Sequence, residues 1–152
     1  MAKETKEALQ AKLTSMQSRV KAMDALHATL RSTYDAEDDS VDDELQACLG
    51  EAAFGAASNV QLTLTFLRTV LPDSRWSLSR PADWSDVLKP NVRKKKPYEA
   101  WVTSGSFGTK GYVQAVADGS TEALALCMAI IGALSARERM QADELAEKIR
   151  RM

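Results

Sequence analysis

From Leu9 onward, apolar positions recur in alternating steps of four and three: Leu9, Leu13, Met16, Val20, Met23, His27, Leu30 and Tyr34. Such steps give a helix a narrow apolar seam, the a/d pattern of a coiled coil. Lys, Gln, Ser, Arg and Asp occupy the positions between, as a solvated face requires. A lone helix of this length is marginal in water, so the seam predicts a mate, on the body of the chain or on a second subunit. We expect Leu9, Leu13, Met16, Val20, Met23, His27 and Leu30 to form an oligomer interface, and the protein to be a homo-oligomer.

The polar pattern then sets the divisions of the chain. An acidic connector, Asp35 to Glu44, separates the N-terminal helix (1–34) from a short helix and small-residue stretch (to 57). That helix carries Val41, Leu45, Cys48 and Leu49, and Ser40 with Asp43 is expected to cap it. The third part, 58–152, opens on Ser58 and Gln61, a capping-box pattern ahead of Val60, Leu64, Leu67 and Leu71. Pro72 closes this helix, and the period changes from helical to alternating.

Residues 75–79, with Trp76 and Leu78 on one face, read as a strand, as do 98–103 and 112–116. Between the first two lies a long loop with three prolines, Trp84 and the basic run Arg93-Lys94-Lys95-Lys96. Strands in succession without intervening helices imply an antiparallel meander. Ser120 or Thr121 then caps a long helix. Its apolar first half, Leu124, Cys127, Met128, Ile131 and Leu134, should cover the sheet. Its charged second half, with a thinner stripe of Met140, Leu145 and Ile149, projects to where it can meet the N-terminal helix. The expected class is α+β: a three- to four-stranded antiparallel sheet covered by helices, with a long coiled-coil-like N-terminal helix.

The stretch from Ser58 to Leu134 resembles the phage α-β-α sandwich domain. The likeness lies in Val70-Leu-Pro-Asp-Ser-Arg-Trp-Ser-Leu78 and in Ala117 to Ala129, where Thr121-Glu-Ala-Leu-Ala-Leu-Cys127 is the most telling part. It spans about half of the chain, and the heptad helix and acidic connector depart from the family's short N-terminal segment. The resemblance implies a phage or prophage origin and an α-β-α sandwich. It implies no particular chemistry, because the family has no established common activity.

Composition narrows the function classes. With 152 residues, 45% hydrophobic and 27% charged, the chain is that of an ordinary globular protein. A net charge of −1 and a pI near 5.9 give no field favouring nucleic acid or acidic lipid. The first residues hold no apolar core for a secretory signal, and Ala123 to Leu134 is too short to span a membrane. Cys48 and Cys127 read as reduced thiols, and the expected location is cytoplasmic, in the host cell if the gene is a phage's.

His27 is the single histidine and sits on the seam, which leaves Ser-His-Asp and Cys-His arrangements without a base and metal sites without ligands. The seven carboxylates of the connector do not make an EF-hand: counted from Asp35, Ser40 and Gln46 stand where Gly and Glu belong. We therefore expect no enzyme, no cofactor and no metal.

What remains is binding. Ser104-Gly-Ser-Phe-Gly-Thr-Lys-Gly111 can present backbone N–H groups to an anion, although its spacing is not that of a Walker loop. Phe107 and Trp84 are loop aromatics suited to stacking. With Arg75 and Arg80 for phosphate, the expected ligand-binding set is Arg75, Arg80, Trp84, Ser104, Phe107, Thr109 and Lys110. These residue types suit a phosphate-bearing purine, and the function expected is an oligomeric sponge that sequesters a nucleotide immune signal. The alternative is an adaptor that engages a host defence protein or a phage protein through the coiled coil and acidic segment.

Overall fold

A computed structural model describes residues 5–32, 39–79 and 98–152. In chain order the elements are α1 (Lys6–Arg31), α2 (Asp39–Leu49), a 3₁₀ turn (Glu51–Ala53), α3 (Val60–Val70), β1 (Ser74–Ser79), β2 (Tyr98–Ser104), β3 (Val113–Gly119) and α4 (Glu122–Arg150). This is the α+β class that the periodicities predict, with the long helix in front. Tyr34, residues 35–38 of the acidic connector, Arg80, Trp84 and the Arg93–Lys96 run lie outside the described residues.

Short polar side chains start the helices. The Thr5 hydroxyl accepts from the Ala8 N–H, and that of Thr121 from the Leu124 N–H, both at 3.1 Å. The start of α3 differs from the expected Ser58 by one position. Asn59 is the cap, its Oδ1 accepting from the N–H groups of Gln61 and Leu62 at 2.9 and 3.2 Å. The Ser58 hydroxyl instead donates to the Gly55 carbonyl at 3.3 Å, inside the turn that delivers Asn59. Ser40 is likewise the second residue of α2, not its cap. Asp42 ties α2 to the following turn, accepting from the Gly55 N–H at 2.7 Å.

Helix α4 organises the molecule. Its residues Ala123 to Ile131 are buried without a break, as befits a helix stretch that is apolar all round. β2 and β3 pack on one side of it, with α1 and α3 on others. The strands form a meander in the order β1-β2-β3, antiparallel throughout. Register places Trp76, Val102 and Ala115 in one row and Leu78, Ala100 and Ala117 in another, both toward α4. Gly119 ends β3 where sheet and helix converge: a Cβ there would stand 2.4 Å from the Ala125 nitrogen.

The charged half of α4 runs antiparallel to α1 and supplies the seam's mate. Leu9, Leu13 and Met16 form a small core with Ala142 and Ile149, while Met23, Leu26 and Leu30 join the main core. Polar contacts pin the register: Arg19 Nε donates to Glu138 at 2.7 Å, and the Asp24 carboxylate accepts from Ser135 and Arg139, each at 2.6 Å.

At one step the seam departs from expectation. Leu26 is buried where His27 was expected, and His27 is half-buried at the edge. The change coincides with a change of partner: Leu9, Leu13 and Met16 pack on the tail of α4, whereas Met23, Leu26 and Leu30 pack into the main core, so the buried face of α1 turns between them. The seam is thus covered within one chain, and no large apolar side chain of α1 is left exposed for a second subunit. Among the described residues, no helix is long and apolar enough to cross a membrane.

Candidate functional site

The β2–β3 turn and the middle of α4 enclose an open cleft of about 510 Å³, lined by Asp73, Gly105, Lys110, Gly111, Arg137, Met140, Gln141 and Glu144. The turn owes its shape to three glycines: Gly105, Gly108 and Gly111 all have positive φ, of 87°, 79° and 94°. At Gly105 a Cβ would also crowd the Gly111 carbonyl and the Tyr112 Cα, both at 3.2 Å. The closed turn therefore needs glycine there.

Ser104 anchors the floor. It is fully buried at the end of β2, and its hydroxyl donates to Asp73 Oδ1 at 2.9 Å while accepting from Arg137 Nη2. Arg137 reaches the same Asp73 oxygen at 3.5 Å. Asp73 is held below the usual carboxylate range, first by the Ser104 hydrogen bond, which outweighs the opposing desolvation, and then by a backbone hydrogen bond and the Arg137 charge. Both Arg137 contacts use Nη2, so among the described residues Nε and Nη1 have no partner. A guanidinium held at one corner and open at the others can bind an oxyanion. Lys110 stands at the mouth, 3.2 Å from Glu144 in an exposed pair. Pairs of this kind are weak and readily exchanged.

The expected binding residues are distributed unevenly around this cleft. Lys110 lines it and Ser104 supports it from below. Thr109 closes the turn, its hydroxyl donating to the Ser106 carbonyl at 2.5 Å. Phe107 is 87% exposed and forms a T-shaped ring pair with Tyr112, centroids 5.5 Å apart. Arg75 does not join them. It pairs with Thr103, not Ser104, and so projects from the opposite face of the sheet. Arg80 and Trp84 lie outside the described residues.

Asp73 and Arg137 were not among the expected binding residues. Arg137 sits in the run Arg137-Glu138-Arg139, and nothing in that run marks which residue turns toward the sheet. Asp73 reads from sequence as a turn residue after Pro72.

A second, smaller cleft of about 230 Å³ lies on the α1–α4 seam, between Asp24, His27, Ser135 and Arg139. It gathers the residue types of a hydrolase triad without their connectivity. The Ser135 proton goes to Asp24, whereas nucleophilic catalysis needs it on the imidazole. Burial, then the Arg31 charge, lowers the His27 pKa, with Asp24 opposing. Cys127 is buried and its thiol is pushed up to about 12, and Cys48 is raised by burial too, so neither is an activated nucleophile. Among the described residues, no group of three metal-ligating side chains converges.

Compared with protein-family models, with curated proteins and with solved structures, the chain matches none. The functional reading therefore rests on the cleft itself.

Proposed function

We propose that the protein is a non-enzymatic binding protein that holds a small phosphate-bearing ligand of the nucleotide class in the cleft beneath the β2–β3 turn. The observation that carries the reading is Arg137: its guanidinium is steadied by buried Ser104, and it lines a cleft together with glycine backbone and Lys110. A phosphate there gains charge-assisted hydrogen bonds and displaces only the long Asp73 contact and the exposed Glu144 pair. The same carboxylates then become acceptors for the amino groups of a base. Phe107, exposed at the turn, offers a stacking surface for its ring. A ligand held this way is sequestered, not converted. The likeness to small phage proteins makes a phage-encoded sponge for a nucleotide immune signal the setting we favour.

The test is thermal unfolding of the purified protein against a panel of cyclic dinucleotides and cyclic ADP-ribose isomers. A ligand at a hundredfold its Kd stabilises by about 2.7 kcal/mol, a rise in Tm of several degrees. Arg137→Gln should abolish the rise while leaving the unliganded fold in place. No stabilisation by any member of the panel removes the proposal. The adaptor reading has less to support it, because the α1 seam is already covered by α4.

A further inference from the structure

The sheet carries α4 on one face, and its other face follows from the register in three cross-strand rows. These are Arg75–Thr103–Gln114, Ser77–Trp101–Val116 and Ser79–Glu99–Asp118. An antiparallel sheet that turns one face to water normally makes that face polar. Here the middle row departs from this pattern: Trp101 is 44% exposed and Val116 48% exposed, directly opposite one another. The indole N–H is already satisfied by Glu99 Oε1 at 2.8 Å, which leaves the ring an apolar surface with no polar demand of its own.

We infer that this face is where two copies of the chain meet. The charge pattern selects a second copy as the occupant. One outer row holds a cation and hydrogen-bond donors, and the other holds two carboxylates. A two-fold axis lying between the sheets, perpendicular to the strands and through the middle row, lays each donor row on the other copy's acidic row. Trp101 and Val116 then meet their own counterparts, the self-complementarity that an isologous dimer requires. An axis along the strands sets Glu99 on Glu99 and is disfavoured by like charge. Three strands about 4.8 Å apart and six residues long at about 3.4 Å each cover roughly 300 Å². That is below the roughly 800 Å² per partner of a standard interface, so the dimer is weak and salt-sensitive.

Sedimentation equilibrium of the full chain over a concentration series decides the matter. The expected result is a reversible monomer–dimer equilibrium weakened at least about tenfold by Trp101→Ser. Arg75→Glu and Glu99→Arg should each weaken self-association. Mixed together, the two variants should restore dimers: Arg75 lies over Ser79 of the other copy and reaches its Glu99 diagonally, and in the mixed pair both diagonals again join opposite charges. All three positions are on the sheet's outer face, and far-ultraviolet circular dichroism checks that the variants fold. A monomer at every concentration would overturn the inference, as would a dimer indifferent to Trp101→Ser or a mixture of charge variants that stays monomeric.

Discussion

Leu13→Ala tests the claim that α1 and α4 pair within one chain. Leu13 is buried at 6% exposure in the small core with Leu9, Met16, Ala142 and Ile149. The substitution removes three carbons, which at about 0.8 kcal/mol per buried methylene forfeits roughly 2.4 kcal/mol. The hole adds about 24 cal/mol per Å³ that fails to collapse. A two-helix seam close to solvent can close much of it, so the expected total is about 2.5 to 3 kcal/mol. Urea unfolding followed by circular dichroism measures the loss, with Lys12→Ala on the exposed face of α1 as a control within about 0.5 kcal/mol. Done in the Trp101→Ser background, which weakens the sheet-face dimer, the unfolding midpoint should not move with protein concentration. A loss below about 1 kcal/mol, or a midpoint that rises with concentration, would refute the intramolecular pairing, since a seam shared between subunits obeys mass action.

Three further outcomes follow from the packing and from titratable groups. Gly119→Ala should destabilise the fold by about 1 to 3 kcal/mol in the same assay, because the new Cβ meets backbone atoms of Ala125 that cannot rotate away. His27 has its pKa lowered in the fold, so as pH falls the unfolded chain binds the proton first. Stability present above about pH 6.5 should then decline as the pH drops through that value toward the folded pKa, and His27→Gln should flatten the decline. Cys127, buried with its thiol near 12, should resist a thiol reagent until the protein unfolds, while half-exposed Cys48 reacts first.

The elements of this fold are legible in the sequence because each has an unambiguous period. Leu9 to Leu30 repeats at helical steps, and Trp76-x-Leu78 alternates as a strand. Partners are harder to read. A heptad seam specifies that it needs an apolar mate, yet α4 of the same chain and α1 of another satisfy it equally on paper. Only the antiparallel pairings Arg19–Glu138 and Asp24–Arg139 distinguish them. The exchange of His27 for Leu26 falls where α1 passes from the α4 tail to the main core, a change of partner that no local pattern announces.

In the candidate site, local signals identify the glycine turn and its Lys110. The Asp73–Ser104–Arg137 cluster joins residues 31 to 64 positions apart, and no local pattern announces such a meeting. The position of Arg75 is different. With Trp76 and Leu78 on the α4 side of the sheet, Trp76 itself 46% exposed at the edge strand, strand parity alone directs Arg75 to the other face.

The central claim is that the cleft beside Arg137 retains a phosphate-bearing small molecule. It is tested most directly by denaturing the freshly purified protein and identifying what it releases by mass spectrometry, wild type beside Arg137→Gln. Near-stoichiometric release of a nucleotide-type phosphate ester from the wild type, and none from the variant, is the predicted result. The same compound released equally by both proteins, or an empty wild type that also fails to bind any nucleotide added back, would contradict it.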